Sequence, residues 1–179
     1  MSTTEDPTRV MVDIETMGNT PGSIILTLGA VKFSSAGITD TFYRRIDPES
    51  CERFGLKPDV STILWWFKQP DEARLEITKP GVELSQALTE FGEWLGDPVV
   101  EIWGNGAAFD NTVLAAAYRA CELSLPWRYS RDRCYRTMKA MHPEVAVPDR
   151  VGTHHNALDD AMNQALHLIE IFKKLSIDC

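Results

Sequence analysis

The segment Val10-Met11-Val12-Asp13-Ile14-Glu15-Thr16 constrains this chain more than any other feature. It has the β-branched, apolar character of a buried strand, yet two acids interrupt it. On a strand, residues i and i+2 project to the same face, so Asp13 and Glu15 aim at one spot. Val10, Val12 and Ile14 point the other way, toward a core. Two like charges this close repel, and burial makes each costlier. A bound divalent cation is the simplest way to make the arrangement favourable. The fold must therefore bury one face of this strand and leave the other able to admit an ion.

The surrounding pattern says what kind of fold that is. Residues 9–15 form a first strand, 23–33 a second and 37–46 a third, punctuated by Gly22 and by the turn Ser34-Ser35-Ala36-Gly37. That is a three-stranded meander. Ser61 or Thr62 is placed to cap a helix running to Lys68 and ended by Pro70. Residues 71–81 are charged and without clear periodicity. Leu84, Ala87, Leu88, Phe91, Trp94 and Leu95 recur at helical spacing, and Gly96-Asp97-Pro98 stops that helix. A fourth strand over 99–103 runs into Gly104-Asn105-Gly106, followed by a helix over 110–121. Residues 129–141 hold a short strand or turn and then a helix, 143–153 form a loop, and a last helix covers 156–175. Its apolar face is Ala161, Ala165, Leu168, Ile169, Phe172 and Leu175. A meander followed by alternating helices and strands indicates an α/β fold with a mixed sheet.

Size and composition fit one domain over residues 9–179, with 1–8 a polar, acidic, disordered lead-in rather than a signal peptide. No apolar run is long enough to span a membrane. The four cysteines are scattered, with no C-x-x-C pair, which indicates neither zinc nor a disulfide framework and makes a reducing cytoplasm the expectation. The net charge of −8 disfavours gripping long duplex DNA by phosphate neutralisation alone. It leaves room for an enzyme that meets phosphate through metal ions, whose acidic ligands add to that charge.

Two further acidic stations follow. Asn105-Gly106-Ala107-Ala108-Phe109-Asp110 lies where a strand gives way to a helix, and ligand sites in α/β sheets favour the carboxyl ends of strands. Asp110 there is also a ready helix cap. His154-His155-Asn156-Ala157-Leu158-Asp159-Asp160 opens the last helix. At about 100° per residue, Asp159 lies roughly 150° from the centre of the apolar face and Asp160 roughly 115°. Asp159 points to solvent, and Asp160 sits on the flank, where it can look into a cleft beside the sheet.

Asp13-x-Glu15, then Asn105-x3-Phe109-Asp110, then His155-x4-Asp160 resembles the DEDDh (DnaQ-like) 3′–5′ exonucleases over residues 9–172. Residues 61–69 (Ser-Thr-Ile-Leu-Trp-Trp-Phe-Lys-Gln) further resemble the subgroup akin to exonuclease VIII and the mycobacterial exoribonuclease-like domain. The resemblance implies a ribonuclease H-like fold: a five-stranded mixed sheet with helices on both faces. It implies that Asp13, Glu15, Asp110 and Asp160 hold two Mg²⁺ or Mn²⁺ ions and that His155 is the general base, His154 being an extra histidine. It implies attack on single-stranded 3′ ends with release of nucleoside 5′-monophosphates. DNA is the expected substrate, with an exoribonuclease or oligoribonuclease using the same site as the alternative. A catalytically silent nucleic-acid-binding module is the rival from another class. A homodimer is an expectation by analogy, in a bacterial cytoplasm or that of a host if the gene is phage-borne.

Substrate contacts are expected from Thr16, Met17 and Gly18, which hold the terminal nucleotide in similar exonucleases, and from Asn105 and Phe109 of the second station. Met17 has packing as its equal alternative. Trp65 and Trp66 cannot share one helix face. Trp66 is the one expected to stack on a base, with packing or a dimer contact as its alternative. The run 127–136 is basic with interleaved aromatics, suited either to guiding a single strand or to pairing with the chain's acids.

Overall fold

A computed structural model describes residues 9–96 and 100–177; the expected lead-in over 1–8 lies outside them. Five strands form one sheet: β1 (Arg9–Thr16), β2 (Ile25–Ser34), β3 (Gly37–Arg45), β4 (Glu101–Gly104) and β5 (Asp132–Cys134). The helices are α1 (Pro48–Arg53), α2 (Val60–Trp66), α3 (Asp71–Ile77), α4 (Leu84–Leu95), α5 (Asp110–Ala120), α6 (Tyr135–Met141) and α7 (Ala157–Leu175). The sheet order is β3-β2-β1-β4-β5. The meander is antiparallel, whereas β4 runs parallel to β1 and β5 parallel to β4. The mixed sheet expected from the sequence is the one observed.

The central strand β1 is covered on both faces, and all eight of its residues are buried. Val10, Val12 and Ile14 enter a core with α4 and α5, through Leu84, Leu88, Phe91, Val113 and Leu114. Met11, on the face of Asp13 and Glu15, packs with Val31, Trp103 and α7 through Ala161, Ala165, Leu168, Ile169 and Phe172. The expected apolar face of α7 holds except at Leu175, which is exposed. One strand thus serves two cores, and its acids lie where the second core ends.

Boundaries moved where a local cap outweighed periodicity. Asp59, not Ser61 or Thr62, caps α2 by accepting the Thr62 N–H at 3.1 Å, so that helix starts at Val60. Helix α1 was not anticipated, although Asp47 caps it and Pro48 opens it, a signal visible in the sequence. The charged stretch after Pro70 folds as α3. The fourth strand is described over Glu101–Gly104; residue 99, its expected start, lies outside the described residues. Among the described residues, Cys51, Cys121 and Cys134 are free thiols, and no helix is long and apolar enough to cross a membrane.

Two glycines let the helices reach the sheet. Gly29 pairs with Asp13 across β1 and β2. A Cβ on Gly29 would lie 2.3 Å from the backbone of Ala157 and Leu158, so the bare backbone admits the first turn of α7. A Cβ on Gly104 would lie 2.5 Å from Asn111 Oδ1 and 3.0 Å from Asp110, so Gly104 does the same for α5.

Candidate active site

Parallel pairing of β1 and β4 brings their carboxyl ends to one edge of the sheet, where α5 and α7 both begin. Asp13 and Glu15 come from β1, Asp110 from the first residue of α5, and Asp160 from the first turn of α7. Asp110 does not cap its helix: Phe109 occupies that position, and Asp110 follows it with its side chain buried. The β1–β2 register shifts between Glu15 and Thr16, ending regular pairing at the site.

Carboxylate oxygens of Asp13, Glu15 and Asp160 lie within 4.8 Å of one another. A second such group joins His154, His155 and Asp160. Asp110 is 2 % exposed, with Oδ2 lacking a hydrogen-bond partner, and its charge acts on Asp13 and Glu15. Gln164 Nε2 donates to Asp13 Oδ1 at 2.8 Å and fixes that carboxylate. Gln164 follows Asp160 by one helical turn on the same face; sequence reasoning missed it, although a polar residue at that phase of an apolar stripe is a signal that could have found it.

The electrostatics are those of acids crowded without enough counter-charge. Burial, followed by Asp110, Glu15 and Asp160, holds the Asp13 carboxyl well above the usual range. Burial, then Asp160 and Asp110, pushes Glu15 up to about 8. Burial pushes Asp110 up to about 7 against several backbone N–H groups that lower it. An orphaned carboxylate oxygen and converging hard oxygen donors fit a divalent cation, which would remove this penalty.

His155 is placed by strain as well as sequence. Its φ of +64° lies in the left-handed region, uncommon for a residue with a Cβ. Its backbone N–H donates to Asp160 Oδ2 at 3.2 Å, and Asn156 caps α7 immediately after it. Its Nδ1 lies 4.0 Å from Glu15 Oε1. The ring sits edge-on to Trp65, Trp66 and His154, with centroids at 4.9, 6.0 and 3.9 Å. Burial, then His154, lowers the His155 pKa below its ordinary value.

Two clefts meet at Ile14 and Glu15. One, of about 350 Å³, is lined by Asp13, Asn105, His154, His155, Asp160 and Arg150 among others. The other, of about 400 Å³, is lined by Thr16, Gly18, Thr62, Trp65, Trp66 and Phe109. The tryptophan pair is reversed relative to expectation. Trp66 is 4 % exposed and donates its indole N–H to the Thr16 carbonyl at 2.8 Å, which makes it part of the wall. Trp65 is 41 % exposed and offers its ring to the cleft. Met17 packs against the core beneath. In the basic run, Arg131 and Arg133 pair with Glu101, Arg136 donates to the Asn105 carbonyl at 2.6 Å, and Trp127 is buried. Pairing, rather than a free basic track, accounts for these residues.

A mixed five-stranded sheet thus carries Asp13, Glu15, Asp110, His155 and Asp160 at the carboxyl edge of its central strands. Residues 8–172 match the family described as 3′-5′ exoribonuclease Rv2179c-like domain, and the chain belongs to that family. Comparison with curated protein sequences gives no match. Among solved structures, E. coli exonuclease I in its zinc-bound complex with single-stranded DNA superposes with a TM-score of 0.70 at 17% identity. That match covers 96% of this chain and 42% of exonuclease I, so the chain spans well under half of that protein. The nuclease domain of 3′hExo, a DEDDh family member bound to rAMP, superposes at 0.66 with 15% identity, covering 99% and 98% of the two chains. At these identities the likeness is one of fold.

Proposed function

We propose that this chain is a divalent-metal-dependent 3′–5′ exonuclease that removes nucleoside 5′-monophosphates from single-stranded ends. The observation that carries the reading is the convergence of Asp13, Glu15, Asp160 and His155, with the charge of Asp110 acting on Asp13 and Glu15, beside a cleft walled by Trp65, Trp66 and Phe109. Two clefts sharing Glu15 suit the two parts of a terminal nucleotide, with its nucleoside among the aromatics and its phosphate among the acids.

Asp13, Glu15, Asp110 and Asp160 would hold two Mg²⁺ or Mn²⁺ ions, which suit oxygen ligands. Bound there, such ions neutralise the phosphodiester and make water a better nucleophile. The protein's own groups do the rest. His155 Nδ1, turned toward Glu15, takes the proton of the attacking water, and its lowered pKa keeps it unprotonated at neutral pH. The water oxygen bonds to phosphorus as the bond to the upstream 3′-oxygen breaks. The proton then returns to that oxygen, leaving a 3′-hydroxyl on the shortened strand and a 5′-phosphate on the released nucleotide. Gln164 keeps Asp13 in register, and the exposed face of Trp65 stacks on the terminal base.

The family's description favours RNA, and the single-stranded DNA held by exonuclease I supports DNA as the second reading. End-labelled single-stranded RNA, single-stranded DNA and duplexes, each incubated with Mg²⁺ or Mn²⁺, test the proposal. Stepwise shortening from the 3′ end is expected. Internal cuts, or no cutting with either metal, would sink it.

A further inference from the structure

Arg150 belongs to none of the acidic stations, yet its guanidinium reaches them. Its Nη2 donates to Asp160 Oδ1 and, at 3.2 Å, to the Thr153 carbonyl. It lines the same cleft as Asp13, Glu15, His155 and Asp160.

The backbone next to it is stitched to α7. Asn163 accepts the Val151 N–H at 2.9 Å and donates to the Val151 carbonyl at 2.7 Å. Asp159 accepts the Thr153 N–H at 2.8 Å. Gly152, at φ +78°, lies so close to Asp159 that a Cβ would stand 2.3 Å from its Cγ. Asp159, one position from a site acid, thus anchors the loop. Arg150 leaves this anchored segment with a side chain 36% exposed, fixed at its root and open to solvent at its flank.

Asp160 is also one of the oxygens grouped with Asp13 and Glu15 around a cation position. A guanidinium and a divalent ion compete for the same carboxylate. We propose that Arg150 is an exchangeable counter-charge: it neutralises Asp160 until a divalent ion displaces it, then turns its fork onto the phosphate of the nucleotide being removed. Arginine suits both partners, because its planar donors match carboxylate and phosphate alike. The inference rests on the metal site proposed above.

The test titrates Mn²⁺ into metal-stripped protein, followed calorimetrically, and then AMP into the Mn²⁺-loaded protein. Arg150→Gln should bind Mn²⁺ about tenfold tighter, since its competitor is gone, and AMP about tenfold weaker. Arg150→Lys, which keeps the charge but loses the fork, should shift Mn²⁺ affinity the same way by a smaller factor, and it carries the test if Arg150→Gln fails to fold. Mn²⁺ affinity unchanged or weakened in the variants, or AMP bound as tightly as by the parent, would overturn the proposal and leave a structural ion pair. Parent protein that binds no Mn²⁺, or Asp13→Ala that binds it as well as the parent, would overturn the metal site itself and Arg150's role with it.

Discussion

Replacing Glu15 by Gln should stabilise the metal-free protein while abolishing its activity. Burial, then Asp160 and Asp110, raises the Glu15 pKa from 4.5 to about 8. A carboxyl whose folded pKa is raised contributes stability that is full below the unfolded value and is lost as pH rises through the folded one. For Glu15 that window runs from 4.5 to about 8. Glu15 therefore destabilises the folded protein by about 4 kcal/mol at pH 8 and by about 1 kcal/mol at pH 5.5. Gln keeps the shape and removes the charge, but it brings an amide donor whose unmet hydrogen bond costs about 1–3 kcal/mol. The balance is a gain of about 2 kcal/mol at pH 8, or a Tm higher by about 4–8 °C for a chain of this size. At pH 5.5 the gain vanishes. Circular dichroism melts in EDTA at both pH values measure this directly. Added Mn²⁺ should raise the parent's Tm more at pH 8 than at pH 5.5. A Glu15→Gln protein that melts at or below the parent at pH 8, or that differs from it equally at both pH values, would refute the argument that these acids repel.

Three other outcomes follow from the geometry. His155→Ala should lower turnover by about 10²–10⁴-fold while retaining Mn²⁺ binding, and the parent's rate should fall only on the acid side of the ordinary histidine pKa; full turnover at neutral pH in the variant would remove His155 from its role. Gly29→Ala should force the start of α7 away from β2, lowering stability by about 1–3 kcal/mol in urea titrations and turnover by about 100-fold; undiminished turnover would show that this close approach does not deliver His155 and Asp160. Trp65→Ala should weaken AMP binding by about 1–3 kcal/mol with little change in stability, whereas Trp66→Ala should lower stability by about 3–5 kcal/mol; the opposite pattern would reverse their assignments.

The sequence alone determined the elements that carry the acids. The i, i+2 spacing of Asp13 and Glu15 fixes their common face, and the helical phase turns Asp160 rather than Asp159 toward the cleft, because both periodicities are properties of the local backbone; Asp159 does not point to solvent as expected, since its carboxylate accepts the Thr153 N–H. The meander and the later α/β alternation were legible for the same reason. Helix α1 and the start of α2 were not, since a cap such as Asp47 or Asp59 is one hydrogen bond among several that the local sequence permits.

Only tertiary structure decided what meets what. Gly29 and Gly104 read locally as weak points in strands, and their purpose appears only when α7 and α5 arrive within van der Waals reach. Trp65 and Trp66 are chemically identical neighbours. The Thr16 carbonyl, fifty positions from Trp66, binds one indole into the wall and leaves the other ring free. Arg150 and Gln164 carry no motif, and the acids they serve converge from β1 and α7. Periodicity is written into successive residues, whereas the charge balance of a site depends on distances that exist only once strands and helices have packed.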